Sequence, residues 1–230
     1  MGDGRMCYEA CMAPSESMEH PVLYGAPASG SVAIEAALTL LEVRYTLVDG
    51  ATWTDAAARE RVAPANPLRQ IPTLVLPGGE TLTECAAILV HLADLHPHAR
   101  LAPAVGDPLR GQYLRWMVHV SSAIYALHWI KPDVARIGAP EAAREAVVKA
   151  VHERIAFCWA AMDAQLPATP GPYLLGNDLS VLDLYVAVVS RFGPWRERFY
   201  QAAPRMAPVV RRVDAEPRLQ ALWRTRFPLE

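Results

Sequence analysis

Two architectures follow one another along this chain: a mixed α/β unit, then an all-helical bundle. Three observations predict them. Short aliphatic strands alternate with helical stripes as far as Leu95, in the order strand, helix, strand, hairpin, helix. A proline-rich stretch without periodicity, His96 to Asp107, interrupts the pattern. Beyond it, apolar residues recur only at spacings of three and four. A parallel βαβ pair followed by an antiparallel ββα hairpin is the thioredoxin-like arrangement. The expected class is therefore an α/β thioredoxin-like N-terminal domain followed by an all-α helical-bundle C-terminal domain. The expected division is a poorly ordered extension over 1–20, the α/β domain over 21–95, a linker over 96–107 and the helical domain over 108–230.

Each element has its own justification. Val22-Leu23-Tyr24 is a short apolar strand running into the turn-rich loop Gly25 to Ser31. Val32, Ala36, Leu40 and Leu41 begin a helical stripe, with Ser31 the expected N-cap and Glu35 within the first two turns. Tyr45 to Val48 is the second strand, and Trp53 to Val62 shows no clear pattern. Thr73 to Leu76 is a β-branched and aliphatic run, Pro77-Gly78-Gly79-Glu80 a turn, and Thr81 to Thr83 the returning strand. Cys85, Ile88, Leu89, Leu92 and Leu95 then form the buried stripe of a helix. Thr83 is its expected N-cap, with Glu84 in the first turn.

In the second half, the helix from Pro108 to Ile130 carries two apolar stripes and should be mostly buried; Lys131-Pro132 ends it. Pro140 stands where a long helix begins, with Val148, Val151, Ile155, Cys158, Met162 and Leu166 on one face. Ser180 and Asp183 read as a capping box, flanked by Leu179 and Leu184 as a hydrophobic staple. The helix they open is apolar all round and should form the core of the second domain.

The 230 residues, 52% of them hydrophobic, can build a substantial core, and a net charge of -2 makes no electrostatic case for nucleic acid or an acidic membrane surface. No stretch approaches the roughly 18 apolar residues that a membrane span needs. The first twenty residues lack the apolar segment of a secretory signal. Four cysteines, at 7, 11, 85 and 158, suit reduced thiols in a cytoplasm. Cys7 and Cys11 have no companion ligand pair, so no metal site is expected.

Two details between Asn66 and Leu95 exceed what packing needs. Pro72, just ahead of a strand, cannot donate a ladder bond, and a cis Ile71-Pro72 bond would turn the N–H and C=O of Ile71 outward toward another extended molecule. Glu84, at the mouth of a helix with unpaired amides, makes a grip for a free amino acid: the amides take its carboxylate and Glu84 takes its ammonium.

This order, Gln70-Ile71-Pro72-Thr73-Leu74, a hairpin, then Leu82-Thr83-Glu84-Cys85-Ala86-Ala87-Ile88, resembles the glutathione-binding half of the glutathione transferases. The stretch from Tyr173-Leu174-Leu175-Gly176-Asn177 through Asp183 is similar to the folding motif of their second domain, so the resemblance spans roughly Leu23 to Phe227. It implies glutathione as co-substrate, no metal, a homodimer, a detoxifying activity and a small hydrophobic electrophile. Carried over, Ile71 pairs its backbone with the cysteinyl part of glutathione, beside Pro72, and Glu84 and Cys85 hold the γ-glutamyl group; Gln70 can reach the peptide backbone. The family's serine after the glutamate is Cys85 here, a weaker donor.

The glutathione thiol has a reference pKa of about 8.5, and lowering it by about two units stabilises the thiolate by roughly 2.7 kcal/mol. The resemblance places the activating group in the loop after the first strand. The cysteine of the bacterial class falls on Gly30 and the serine of the theta-like classes on Ala26, and neither residue is present. By elimination, Ser29 or Ser31 donates to the thiolate, or the amides of Gly30 and Ser31 do so unaided. Trp116, His119, Tyr125, His128 and Trp129 lie on the helix that walls the electrophile pocket in the family, with Tyr125 expected to face it. Glutathione-dependent reductase, lyase or isomerase chemistry, and a non-catalytic interaction module, are the alternatives.

Overall fold

The computed structural model describes residues 19–53 and 56–228. The extension expected over 1–20, with Cys7 and Cys11, lies almost wholly outside the described residues. β1 (Val22–Gly25) runs parallel to β2 (Thr46–Asp49) and antiparallel to β3 (Thr73–Val75), which pairs antiparallel with β4 (Thr81–Thr83). The sheet order is β2-β1-β3-β4, the mixed four-stranded arrangement expected of the first half. The hairpin closes as its turn chemistry predicts: Leu76 N–H donates to the Glu80 carbonyl at 2.8 Å, and Gly79 takes the left-handed φ of 84°.

The sheet carries α1 (Ser31–Leu40) and α3 (Cys85–Leu95), which touch each other. The α3 stripe is buried through Leu92, but Leu95, expected on it, is 55% exposed, because the helix ends there and the chain turns away at His96. The helix starts one residue later than expected: Glu84, not Thr83, is the N-cap. The pattern-free stretch contains a helix, α2 (Ala56–Val62), whose buried contact is confined to Ala58 and Val62, too narrow a face to show as a stripe.

After Asp107 the described chain has no strand. α4 (Arg110–His119) does not continue as one α-helix to Ile130: it widens into a π-turn over Val120–Ile124 and tightens into a 3-10 turn over Tyr125–Trp129. A π-turn holds an extra residue, so side chains after it swing by about 100° relative to a continuous helix. α5 (Arg144–Gln165) buries Val151, Ile155, Cys158 and Met162. α6 (Val181–Val189) has every residue buried and touches α1, α3 and α4, so both halves share one core. Its capping box is formed, with Asp183 accepting from Ser180 N–H at 2.8 Å, Ser180 Oγ–H at 2.6 Å and Leu174 N–H at 2.9 Å. α7 (Trp195–Ala202), α8 (Ala207–Asp214) and α9 (Gln220–Arg226) complete the bundle, and α6 packs on α8. Among the described residues, no helix is long and apolar enough to cross a membrane.

Candidate active site

The site begins where the strands end. Tyr24 lies opposite Thr73, so continuing the register sets Gly25 and Ala26 beside Pro72 and Ile71. Thr73 lies opposite Thr83, which sets Glu84 beside Pro72 on the other side. The Ile71-Pro72 bond is cis, and the ladders begin only at Thr73, so the backbone of Ile71 stands outside both. The loop ahead of it is held by Asn66, which is 4% exposed. Its Nδ2 donates to the Gln70 carbonyl at 3.0 Å and to Thr73 Oγ1 at 3.1 Å, while its Oδ1 accepts from Leu68 N–H. Sequence reading missed this residue; its signal was the Asn66-Pro67 pair, a common turn opener. The Gln70 side chain is exposed, and Arg69 pairs with Glu60 at 3.3 Å.

Glu84 sits at φ 66°, ψ 114°, a conformation an L side chain adopts only where its surroundings impose it, and it is exposed at the start of α3. The adjacent Cys85 is 2% exposed, and burial, aided by the Glu84 charge, drives its thiol far above the ordinary cysteine value. Cys85 is therefore a neutral, inward-facing group rather than a nucleophile.

The loop after β1 departs most from expectation. Gly30, not Ser31, is the N-cap of α1, and it makes no side-chain cap bond. Ser31 is fully buried and turned back into the loop, where its Oγ accepts from Ala26 N–H at 3.0 Å and lies 2.8 Å from Ser29 Oγ. Ser29, 5% exposed, donates its hydroxyl to the Ala26 carbonyl at 2.7 Å and accepts from Ser31 N–H at 3.2 Å. Both hydroxyls and one of the two amides expected to meet a thiol thus serve the loop itself. The other amide, Gly30 N–H, donates to Tyr125 Oη at 2.9 Å. A Cβ at Gly30 would stand 2.4 Å from that hydroxyl and 2.8 Å from Cys85 Sγ, so no larger residue fits there while Tyr125 is in place. From behind, Ala28, at φ 51°, donates its N–H to the carbonyl of Arg226 at 3.0 Å, and the Arg226 guanidinium reaches Glu35 on α1 at 2.7 Å. The last helix therefore braces the loop.

Of the aromatic and histidine residues on the first helix of the second half, the structure brings Tyr125 to the loop, with His128 behind it. Tyr125 packs on Tyr185 edge-on at 6.2 Å, on Phe192 stacked at 5.9 Å and on His128 at 6.0 Å. Burial pushes its phenol well above the usual tyrosine value, further than the Gly30 bond lowers it. Burial, with Lys131 and His152 adding positive charge, pushes His128 down to about 3, and its Nε2 has no partner. Trp116 is 1% exposed, in the core beneath the Arg115 guanidinium, and offers no surface to a ligand. His119 Nε2 lies 3.2 Å from the Cys158 carbonyl, and Trp129 points outward, 49% exposed.

Comparison with known proteins bears on the family and the fold. The model of the glutathione S-transferase N-terminal domain matches residues 31–95, and that of the C-terminal domain matches residues 134–226. The GST-like protein YncG of Escherichia coli is 32% identical over 201 residues, covering 86% of this chain and 94% of its own. A probable maleylacetoacetate isomerase of Caenorhabditis elegans is 28% identical over 180 residues, covering 74% of this chain and 77% of its own. The crystal structure of a glutathione transferase homologue from Sulfitobacter with bound glutathione superposes with a TM-score of 0.77 at 26% identity, covering 90% of this chain and 99% of that one. The two domain models in order, with a relative at this identity over most of both chains, place the chain in the glutathione S-transferase family.

Proposed function

We propose that this chain binds glutathione across the ends of β1, β3 and β4 and turns its thiol on a small hydrophobic electrophile. The observation that carries this reading is the convergence of three features: the cis Ile71-Pro72 bond, the left-handed Glu84 and the loop 26–31. In it, Ile71 offers its free N–H and C=O to the cysteinyl residue, while Glu84 and the first amides of α3 hold the γ-glutamyl ammonium and carboxylate. The thiolate sulfur attacks an electrophilic carbon, an S–C bond forms, and the leaving group departs with its electron pair. The glutathione bound to the Sulfitobacter homologue supports the assignment of the ligand. In this reading residues 21–95 bind glutathione, 96–107 link, and 108–230 supply the electrophile pocket; the buried free thiols of Cys85 and Cys158 fit a cytoplasmic protein.

Calorimetric titration with glutathione tests the reading. Glu84→Ala should weaken binding by about 2–3 kcal/mol, roughly 30- to 150-fold, the usual loss when a charge-assisted pair is broken. Cys85→Ser should bind as well or better, since a hydroxyl is the stronger donor. Unchanged affinity in Glu84→Ala would remove the site. The isomerase relative favours a second reading, in which glutathione is recovered after turnover; measuring whether thiol disappears in step with product separates the two.

We also propose a homodimer. Leu114 and Val118 on α4, with Phe157 on α5, are exposed apolar residues at 40%, 60% and 62%. Light scattering at micromolar concentration should give twice the mass of one chain, and Val118→Glu with Phe157→Glu should halve it.

A further inference from the structure

We infer that the hydroxyl of Tyr125, reaching across from the helical half, is the group that meets the glutathione sulfur. The assignment rests on the proposed glutathione site and deepens it. The other groups expected to meet the sulfur are already engaged. The Ser29 and Ser31 hydroxyls are bonded within the loop, and Ser31 N–H donates to Ser29 Oγ. Gly30 N–H donates to Tyr125 Oη, so this amide reaches a sulfur only through that hydroxyl. Tyr125 Oη accepts that bond, and its own proton has no acceptor assigned among the described residues. A phenol that accepts from a backbone N–H is polarised to donate more strongly to a third group.

Its location fits. The Tyr125 hydroxyl occupies the space into which a side chain at Gly30 would project, 2.4 Å from the ideal Cβ position. That is the start of α1, where the positive end of the helix also favours an anion. Burial and the neighbouring Cys85 and Glu84 favour the protonated phenol and the Gly30 amide opposes them, while Tyr185 from α6 and His128 on its own turn face the ring. Of these Glu84 is the anion that opposes a second negative charge, and it lies at the glutamyl end of the proposed ligand. As glutathione binds, its thiol proton leaves to solvent, and Tyr125 keeps its own proton and donates it as a hydrogen bond to the thiolate. One polar contact between the two halves of the molecule then decides the state of the thiol, and the loop serines only set the position of Gly30.

The test is ultraviolet titration of bound thiolate across pH, with calorimetry on the same samples. Tyr125→Phe keeps the ring packed on Tyr185 and Phe192. It should bind glutathione, with the apparent pKa of the bound thiol raised by one to about two units, a tenfold to hundredfold smaller thiolate fraction below that pKa. Gly30→Ala places a methyl against the hydroxyl and should give the same rise, so the assignment stays testable if one variant does not fold. An unmoved pKa in either variant with glutathione bound overturns the assignment. So does loss of glutathione binding in both, which would make Tyr125 part of the peptide cradle. Failure of the wild-type chain to bind glutathione overturns the underlying site, and the assignment falls with it.

Discussion

Arg226→Ala should destabilise the protein by about 3–5 kcal/mol, read as a shift in the urea midpoint at constant slope. Glu35 is fully buried in α1, with Arg226 at 2.7 Å and the Tyr45 hydroxyl at 3.0 Å as its partners. Removing the arginine strands a carboxylate inside the shared core. The loss should depend on pH in a definite sense. Burial lifts the Glu35 carboxyl above its usual value, and Arg226, by hydrogen bond and by charge, pulls it part of the way back. A carboxyl with a raised folded pKa binds its proton more tightly in the folded state. Its stability contribution is therefore most favourable below the ordinary carboxylate range and is lost as pH rises through the folded value. Without Arg226 the folded value rises further, so the deficit should be largest at neutral pH and shrink on acidification toward the ordinary range. A deficit that does not change with pH would show that lost packing, not a stranded charge, is the cause. Glu35→Gln on top of Arg226→Ala should recover much of the loss, because a neutral amide still accepts from Tyr45. Alanine keeps the Arg226 carbonyl that holds Ala28 but loses the guanidinium that ties α9 to α1, so the change also tests how far that tie steadies the loop over the proposed thiol site.

Asp183→Ala should cost a comparable 3–5 kcal/mol, on the order of what stranding several buried donors costs. Asp183 is 1% exposed and accepts from two backbone N–H groups and one hydroxyl. Two of these fix the entry to α6, and the third ties back the 173–176 loop through Leu174. Desolvation raises its pKa, and the three hydrogen bonds oppose that rise. Asp183→Asn should recover only part of the loss, since its NH2 must face groups that are themselves donors. Thermal and urea unfolding of both variants give the measurement. A loss below 1 kcal/mol in the alanine variant would mean that water replaces the carboxylate, and that α6 is held by its apolar surface alone.

Much of the site's frame was legible in the residues. Pro72 ahead of a strand, the Pro77–Glu80 turn, the Ser180/Asp183 box and the uniformly apolar α6 are local signals, each set by the dihedral preferences or hydrogen-bonding reach of a few neighbouring residues. The shape of the loop 26–31 was not legible. A serine at the start of a helix caps it in most surroundings, yet Ser31 turns inward because the Ser29 hydroxyl and Ala26 N–H lie close enough to bond it. Local chemistry allows either arrangement, and the inward one needs a glycine at 25, where a Cβ would stand 2.5 Å from Ser31 Oγ. The α4 stripe likewise suggested an unbroken helix, because periodicity over a few turns does not register a single extra residue in a π-turn.

By itself, then, the sequence determined the α/β class of the first half, the helical class of the second, the strand order of the hairpin and the placing of Pro72 and Glu84 at its ends. These depend on interactions within a few residues of chain, where composition and spacing act directly. Only the tertiary structure decided which groups meet at the end of α1. Gly30 and Tyr125 are 95 residues apart, and their contact depends on the π-turn, on α6 packing between the halves and on a glycine with no side chain in the way. A hydrogen bond between groups so distant in sequence leaves no periodic trace, because its geometry is fixed by the packing of whole helices.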